Sequence, residues 1–542
     1  MAAPTGLLLL TSPSHQLFHK VPRILHYVSQ KITQVLYIHL HPDLEECLQN
    51  QHGIDKNVCI PPSRSFLDFA TKVYVESSKI KNFPDTRILL RNTGGRSSSH
   101  DVPLLHSVQE IYTDSGLPFA DVTSYLKNWI LFPSEPVMHQ LPYSLMANSW
   151  SQESVLQSPS ITDVLNTYHH VVLGGTFDRL HVGHKVLLTE SAMRANAKVT
   201  VGVTDGHMNH KKTLPELLQP CGNRIQDVYE FLHDVKPWVA HKDIIVPITD
   251  PFGPSITEAD MGCIVVSQET RKGGAAVNKR RLEKDLNELD IHEIQIISDD
   301  HHGAHEEDKI SSSSQRMRLL GSLLCPPEPD PKLPKVPYVI GLTGGIASGK
   351  TSVCRRLEKL GAGVIDCDKL GHLAYLPGTD AFQDVVKEFG TDIVGDDGHI
   401  NRKALGAKVF ADKGRLTVLN QIVWPAIACK ARELISQYAN EGRSVCILDA
   451  AVLLEAHWDD FTHEIWSCII PKKEAMQRIM DRDKLSEDTA LQRIESQMSN
   501  EDRVQRSHVV LCTYWQPEYT QQQVEKAWKE LQSRTNSNTS QL

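Results

Sequence analysis

The feature that most constrains the fold is a repeated alternation of short apolar runs with helical patterns. The first series begins near residue 169, where HHVVLGG, AKVTVGV, DIIVPIT, GCIVVSQ and EIQIIS are spaced widely, several of them separated by helical patterns. Strands joined by crossover helices must be parallel and are covered on both faces. We therefore predict an α/β domain here, with an open, doubly wound sheet of about five strands.

A proline-rich segment divides this series from a second one. Residues 325–337, CPPEPDPKLPKVP, hold six prolines, which neither a helix nor a central strand tolerates. Beyond it, YVIGLTGG, GVIDCD, VCILDAAVLL, EIWSCII and HVVLCTY predict a second doubly wound parallel sheet. The predicted organisation is an N-terminal region at 1–160, α/β domains at 161–324 and 338–535, a linker at 325–337 and a disordered tail at 536–542.

The N-terminal region carries no motif with an evident chemistry, and its fold is not predicted. It ends in ANSWSQESVLQSPS, which is typical of a linker. The first 42 residues lack Asp and Glu but contain Lys20, Arg23 and Lys31, a weak resemblance to a mitochondrial targeting segment. The alternative is that ITQVLYIHL alternates as a strand and that a folded domain begins here.

The composition excludes some classes of function. A net charge of −9 argues against nucleic acid as a partner. No apolar run approaches the roughly 20 residues that span a bilayer, so we expect no integral membrane protein. Eleven cysteines without a CxxC pair predict reduced thiols in a cytosol-like compartment.

The strongest local motif is a phosphate-binding loop in the second domain. GLTGGIASGKTSV follows a predicted strand and opens a predicted helix, and Gly344 to Thr351 fits G-x-x-x-x-G-K-[ST], with a chance Gly-rich turn as the alternative. Backbone N–H groups surround the nucleotide phosphates, Lys350 reaches the β and γ oxygens, and Thr351 can bind Mg²⁺. The predicted ATP-binding residues are Gly344, Gly345, Ile346, Ala347, Ser348, Gly349, Lys350, Thr351 and Ser352.

Two further groups could take part in phosphoryl transfer. Asp366 and Asp368 end the next predicted strand on the same face, where one could accept a hydroxyl proton. The alternative is that they cap the following helix. Arg478, Arg482 and Arg493 lie in a charged helical segment that suits a closing lid, and the alternative is a solvated helix with i,i+4 pairs.

Residues 338 to about 535 resemble the dephospho-CoA kinase family. The segments YVIGLTGGIASGKTSV, VIDCDKLGH, GHINRKALGAKVF, LDAAVLLEA and MDRDKLS occur there in this order. The resemblance implies Asp368 as the base and Arg402 and Arg482 as phosphate-clamping arginines. AAVLLEA stands where the family often has Pro-Leu-Leu-x-Glu, which leaves the substrate contacts at this point open.

In the first domain, LGGTFDRLHVGH places His181 and His184 just after a Gly-Gly turn. A metal site would need further ligands, for which His207 and His210 are the nearest candidates. A phosphate site fits better, because the turn brings backbone close to the ligand and a helix starts near His181. Both imidazoles could then donate to an α-phosphoryl group. The predicted ATP contacts here include Gly174, Gly175, Thr176 and Phe177.

This segment resembles the H-x-G-H signature of the nucleotidyltransferase superfamily. The match is closest to the eukaryotic type of phosphopantetheine adenylyltransferase, with TLPELLQP, VVSQETRKGGAAVNKRR and ISSSSQRMR in register. Ser311, Ser312 and Ser313 are candidates for capping a helix and binding ATP phosphates, a flexible serine linker being the alternative. Lys211 or Lys212 and Arg271 are candidates for neutralising the triphosphate, although RKGG stands where bacterial relatives have R-G-L-R.

Together the two resemblances imply the family of bifunctional coenzyme A synthases. Its substrates and products would be ATP, 4'-phosphopantetheine, dephospho-CoA and CoA, with Mg²⁺ as the cofactor in both steps. The family further implies a cytoplasmic and mitochondrial location, in the matrix or at the outer membrane, with possible peripheral membrane association. Protein partners are not predicted. Two alternatives stay open, an ATP- or CoA-binding sensor or scaffold and a kinase for another small hydroxyl substrate.

Overall fold

The computed structural model describes residues 3–42, 44–49, 61–93, 102–127, 129–146, 164–410 and 413–539. The linker predicted at residues 147–160 lies outside them. The chain forms two compact units, Met1–Ser314 and Gln315–Leu542. Within the described ranges, no helix is both long and apolar enough to cross a bilayer.

The N-terminal region is a domain with a five-stranded parallel sheet in the order β3-β2-β1-β4-β5. Leu7 to Leu10 are buried in its central strand, in keeping with a sheet that is covered on both faces. The strands are β1 (Ala3–Leu10), β2 (Ile32–Leu40), β3 (Asp85–Leu89), β4 (Glu110–Thr113) and β5 (Val137–Gln140). The helices are α1 (Ser14–Leu17), α2 (Val21–Ser29), α3 (Leu44–Gln49), α4 (Arg64–Ser78), α5 (Phe119–Leu126) and α6 (Tyr143–Met146).

The first 42 residues belong to this domain. ITQVLYIHL is strand β2, which confirms the strand interpretation, and the preceding segment supplies the central strand β1. Cleavage of the first 42 residues would remove this central strand together with its neighbour β2. A mitochondrial location stays a prediction.

The second domain of the first unit is the predicted doubly wound sheet, in the order β10-β9-β6-β7-β8 with every pair parallel. Its central strand β6 leads directly to the loop that carries the two histidines. The strands are β6 (Tyr168–Gly175), β7 (Ala195–Thr204), β8 (Ile245–Ile248), β9 (Met261–Ser267) and β10 (Asp290–Ile294). The helices are α7 (Val182–Arg194), α8 (Cys221–Val235), α9 (Arg271–Leu282) and α10 (Ser312–Leu319), the last of which crosses into the second unit.

One hydrophobic core runs through both domains of the first unit. It joins Phe69 and Val73 of α4 to Leu188 and Ala192 of α7. Burial of apolar surface contributes roughly 25 cal/mol per Å², so a continuous core makes the N-terminal domain part of the same folded body. The helix that carries the histidines is therefore covered by the N-terminal domain.

The second unit is the other predicted doubly wound sheet, in the order β12-β13-β11-β14-β15, again parallel throughout. Separate apolar clusters cover its two faces. The strands are β11 (Tyr338–Gly344), β12 (Gly363–Asp366), β13 (Val445–Asp449), β14 (Glu464–Ile469) and β15 (Val509–Cys512). The helices are α11 (Lys350–Lys359), α12 (Cys367–Leu373), α13 (Asp380–Phe389), α14 (Arg402–Phe410), α15 (Lys413–Asn440), α16 (Lys472–Asp483), α17 (Glu487–Glu495), α18 (Asn500–Gln505) and α19 (Pro517–Thr539).

The linker and the C-terminal tail predicted from the sequence compare differently with the structure of this unit. Residues 325–337, all of them described, hold no helix or strand, as the six prolines predict. At the other end α19 continues to Thr539, so the start of the tail predicted as disordered at 536–542 is helical. Once a helix is nucleated, each added residue costs little, and polar residues can extend it.

Candidate active sites

The two histidines of the first unit meet at the start of α7. His181 is the N-cap residue, and His184 lies within the first turn. Their rings stack with a centroid distance of 3.8 Å and an interplanar angle of 23°, and the His184 ring lies 5.1 Å from that of Phe177. Both side chains therefore lie at the carboxyl end of β6 and the positive end of the α7 dipole, where an anion is favoured.

The loop between β6 and α7 is held in an unusual conformation. Phe177 and Arg179 have φ values of 51° and 49°, in the left-handed region. The fully buried Asp178 fixes this turn, because its Oδ1 accepts from Arg179 Nη1 at 2.9 Å and from the Gln219 backbone N–H at 3.0 Å. Gln219 in turn accepts the Arg179 backbone N–H through its Oε1 at 2.6 Å. The backbone strain is thus maintained by the LPELLQP segment.

Arg224 is a structural residue of this site that the sequence did not reveal. It is 1% exposed, and its Nη1 donates to the carbonyl oxygens of Thr176 and Thr204, both at 2.8 Å. Its Nε donates to the Gln219 carbonyl at 2.9 Å. One guanidinium therefore joins the ends of β6 and β7. The only sequence signal is a single arginine within an amphipathic helix, which does not predict a role.

The serine run lies against the histidines. Ser312 Oγ is 3.4 Å from His181 Nε2 and donates to the Asp178 carbonyl at 3.2 Å. Ser311 Oγ accepts the Ser314 backbone N–H at 3.2 Å, so the predicted cap of α10 is confirmed. Ser313 is half-buried beside them. The run is ordered against the site rather than a free linker.

Both imidazoles are neutral near pH 7. Burial lowers the pKa of His181 to about 4, with opposing effects from the charges of Asp178 and Lys185. Burial also holds the pKa of His184 well below its usual value, and His181 and Lys212 lower it further. In the part of the chain that the structure describes, the buried Nδ1 atoms of both rings have no hydrogen-bond partner.

The predicted basic residues divide between two positions. Lys212 is close enough to His184 for its positive charge to lower the pKa of that ring. Arg271 begins α9 and pairs instead with Glu293 of β10, at 3.0 Å, with 73% of its side chain exposed. Among the residues that the structure describes, no group of three His, Cys, Asp or Glu side chains could hold a metal ion.

The phosphate loop of the second unit lies between β11 and α11. Gly349 caps α11 with φ +84°, and a Cβ there would lie 2.7 Å from Thr513 Oγ1. Ala347 also has a left-handed φ of 60°. Lys350 Nζ donates to the Gly344 carbonyl at 3.2 Å, so its ammonium lies back over the loop. The predicted strand, loop and helix are all present.

The carboxylates near this loop are arranged differently from the prediction. Strand β12 ends at Asp366, whose side chain caps α12 by accepting the Lys369 N–H at 3.0 Å. Asp368 lies exposed in the first turn of α12, so the two do not share a strand face. The prediction of a common face was wrong, because the strand ends at Asp366, two residues before Asp368, and the capped helix α12 begins at Cys367.

Asp449 was not among the site residues predicted from the sequence, although an Asp at the end of an apolar run could have indicated it. It ends β13, which pairs with the loop's own strand β11. Burial raises the pKa of Asp449, and the charges of Asp366 and Asp368 add to this, whereas Lys350 lowers it. The carboxylate therefore interacts electrostatically with the loop lysine and both other aspartates.

The lid arginines take two roles. Arg478 of α16 donates to the Ala347 carbonyl at 3.3 Å and to Thr513 Oγ1 and O at 3.0 and 2.7 Å, so it braces the loop. Arg482 and Arg493 both pair with Asp483, at 2.8 and 2.9 Å.

Two other contacts bear on the same loop. The Ile346 backbone N–H donates to Gln497 Oε1 at 2.7 Å, where a phosphate oxygen would otherwise accept. Arg402 is exposed at the start of α14. The structure thus brings Arg478 to the phosphate loop, whereas the clamping roles of Arg402 and Arg482 stay predictions.

The oxygen donors at this loop suit Mg²⁺. Thr351 is exposed in the first turn of α11, and Asp449 is a half-buried carboxylate whose pKa the charge of Lys350 lowers. Mg²⁺ prefers hard oxygen ligands and is usually held by one or two protein groups together with phosphates and water. Thr351 and Asp449 are the residues that would hold it.

The folds and sites define a class, a transferase with two nucleotide-binding α/β domains. The family model described as "Dephospho-CoA kinase" matches residues 338–514, and "Cytidylyltransferase-like" matches 172–318. The model "COASY N-terminal domain" matches residues 4–126. The chain belongs to the dephospho-CoA kinase family through its C-terminal domain. The three matches in this order confirm the resemblance to bifunctional coenzyme A synthases.

Two relatives, both named as dephospho-CoA kinases, agree with this assignment. A protein of Geobacter sulfurreducens named "Dephospho-CoA kinase" is 41% identical over 190 residues, which cover 35% of this chain and 96% of the relative. One of Symbiobacterium thermophilum with the same name is 40% identical over 191 residues, 35% of this chain and 80% of the relative. A solved structure titled "Dephospho-CoA kinase from Campylobacter jejuni" is 23% identical, with a TM-score of 0.30, over 37% of this chain and 98% of that one.

Proposed function

We propose that the chain catalyses two successive ATP-dependent reactions. The first domain transfers the adenylyl group of ATP to 4'-phosphopantetheine and gives dephospho-CoA and pyrophosphate. The second phosphorylates the ribose 3'-hydroxyl of dephospho-CoA and gives CoA and ADP. The observation that carries the proposal is the stacked histidine pair at the start of α7, in the same chain as a dephospho-CoA kinase domain. The product of one domain is then the substrate of the other.

In the first reaction the phosphate of 4'-phosphopantetheine attacks the α-phosphorus of ATP, and the bond to pyrophosphate breaks. The nucleophile is already ionised near neutral pH, so alignment and charge neutralisation suffice. His181 and His184, neutral at this pH, donate to the α-phosphoryl oxygens as negative charge develops on them. In this proposal Ser312, which lies beside His181, and Lys212, whose charge acts on His184, bind the departing pyrophosphate.

In the second reaction the 3'-hydroxyl attacks the γ-phosphorus of ATP, and ADP departs. Asp368 accepts the hydroxyl proton in this proposal, and Lys350 and the loop N–H groups bind the β and γ oxygens. Mg²⁺, when bound, neutralises phosphate charge, with Thr351 and Asp449 as its protein ligands. Gln497 must release the Ile346 N–H before a phosphate can accept from it.

We further propose that the enzyme acts in the cytosol and in mitochondria, on the strength of the family resemblance alone. Fractionation of cells that express the tagged chain tests this. Full recovery in one compartment would exclude the other.

The test of the function supplies the purified chain with 4'-phosphopantetheine, ATP and Mg²⁺ and follows dephospho-CoA, CoA, pyrophosphate and ADP by chromatography and mass spectrometry. Formation of CoA with both by-products supports the proposal. We expect Lys350→Met to stop at dephospho-CoA and His184→Ala to form no dephospho-CoA but to convert it when it is supplied. A folded wild-type chain that binds ATP but forms neither product would instead favour a sensor or scaffold.

A further inference from the structure

The two sheets of the first unit have the same topology. In each, the first strand is central, the second and third lie on one side and the fourth and fifth on the other. Each sheet therefore has a switch point between its first and fourth strands, where ligands of doubly wound sheets bind at the carboxyl ends. In the second sheet this point lies beside the Gly-Gly turn and the histidines.

In the N-terminal sheet a carboxylate fills the corresponding position. Asp114 follows β4, and its Oδ1 accepts from the Thr11 N–H at 2.7 Å and the Thr11 hydroxyl at 3.1 Å. Its Oδ2 accepts the Ser12 N–H at 2.9 Å. In a phosphate site, the backbone N–H groups that follow β1 would donate to the phosphate. Here they donate to the carboxylate of Asp114 instead. The contribution of this domain must be sought where it contacts the other sheet.

That contact includes the residue directly after His184. Lys185 is 9% exposed, and its ammonium donates to Asp85 Oδ1 at 2.5 Å and to the Thr86 carbonyl at 3.2 Å. Asp85 and Thr86 begin β3 of the N-terminal domain. One turn further along α7, Thr189 Oγ1 lies 3.2 Å from the hydroxyl of Tyr74 on α4. Two successive turns of the histidine helix are therefore bonded to the N-terminal domain.

The ion pair is part of a chain of charges that is buried except at Asp85, whose side chain is 38% exposed. Arg87 donates to Asp85 Oδ2 at 2.9 Å and to Asp234 Oδ2 of α8 at 2.6 Å. Tyr37 of β2 donates its hydroxyl to the same Asp234 oxygen at 2.7 Å. Burial alone would raise the pKa of Asp85, but Lys185 and Arg87 hold it below its usual range. Asp85 is therefore ionised near neutral pH, and its pair with Lys185 is charged.

Removing the Asp85 carboxylate leaves the charges of Lys185 and Arg87, whose side chains are 11% and 10% exposed, without this partner, which is unfavourable. Adenylyl transfer also depends on the placement of His181 and His184 to within a fraction of an ångström, and a shift of about 1 Å can cost roughly 100-fold in rate. The chain of charges ends on the residue next to His184. It therefore has the geometry to fix the position of the histidine helix.

We propose that Asp85 and Lys185 are positioning residues, through which the N-terminal domain fixes α7 for adenylyl transfer. The proposal rests on the function proposed above. It assigns the N-terminal domain a part in the first reaction and none in the second. Neither residue contacts substrate in this proposal, and both act through His184.

The experiment compares Asp85→Asn and Lys185→Met in the full chain, with Asp68→Asn as the matched control. Asp68 pairs with Arg64 on the exposed surface of α4 in the same domain, with 54% of its side chain exposed. We expect kcat of the first step to fall by at least about tenfold in both test variants, because misplacement of the histidines affects the transition state. The KM for ATP and the second step, assayed with supplied dephospho-CoA, should match the wild type. Lys185→Arg should restore most of the first activity.

Hydrogen exchange of residues 181–189 separates this proposal from the function on which it rests. Asp85→Asn should speed exchange in this segment, and Asp68→Asn should not. If exchange responds but the wild type forms no dephospho-CoA, the proposed function fails while the structural coupling stands. An unchanged kcat in folded variants, or an equal loss of both activities, would overturn the positioning role.

Discussion

At the scale of single residues, the chemistry of the first site depends on imidazoles that burial keeps neutral. His181 and His184 lie at the positive end of a helix dipole, which alone disfavours a protonated ring. A neutral ring still has one N–H to donate, so it can stabilise charge that develops on a phosphoryl oxygen. Such a donor needs no change of protonation during the reaction.

The burial of His181 predicts a pH dependence of stability. Its pKa of about 4 in the folded chain lies below the usual 6.5, so between these values the unfolded chain binds the proton and the folded chain does not. The stability present above pH 6.5 is therefore lost as the pH falls towards 4. Between pH 7 and 5, we expect the wild type to lose about 1–2 kcal/mol more than His181→Asn.

Urea unfolding at the two pH values, followed through hydrogen exchange in α7, measures this difference. The exposed His241, changed to Asn, is the control and should track the wild type. Equal losses in the wild type and in His181→Asn would show that His181 does not carry the effect.

At the scale of elements, the sequence predicted local units well and their junctions less well. The phosphate-loop pattern predicted β11, the loop and α11, since a complete motif between an apolar run and a helical pattern leaves few alternatives. Asp368 was misplaced because the sequence did not show that α12 begins right after Asp366, although Asp is a favoured N-cap. Arg478 could not be singled out from Arg482, because which turn of α16 faces the loop is set by tertiary packing.

The brace from α16 to the phosphate loop predicts a defect confined to the second reaction. Arg478→Ala removes three hydrogen bonds to the loop and to Thr513, so we expect kcat/KM for ATP in this step to fall by about 10- to 100-fold. Steady-state kinetics with supplied dephospho-CoA measure it. Lys472→Ala, which lies on α16 as well and breaks an exposed pair with Glu495 of α17, should change little. A loss of the first activity as well would point to general unfolding.

At the scale of the whole molecule, the two motif-bearing sheets were predicted and the N-terminal sheet was not. Its apolar runs were visible, but no motif marked the carboxyl ends of its strands. The chain of charges that joins it to α7 and α8 was also invisible. Lys185, Arg87 and Asp234 lie far apart in the sequence, and nothing local distinguishes them from surface charges. Only the tertiary fold brings such groups together and buries them.

The division into two units predicts that the activities can be separated and recombined. Each unit contains one motif-bearing sheet with its own candidate phosphate site, so a defect in one should leave the other intact. When Lys350→Met and His184→Ala variants are mixed with 4'-phosphopantetheine and ATP, we expect CoA to form after a lag. The first variant releases dephospho-CoA, and the second consumes it. The lag should shorten as the enzyme concentration rises, since dephospho-CoA is then formed and consumed faster. Quenched time courses resolved by chromatography measure the CoA formed and the length of the lag, with each variant alone as the control.

If each variant retains its own step but the mixture makes no CoA, the intermediate does not leave the chain that makes it, and the two units do not act as independent enzymes.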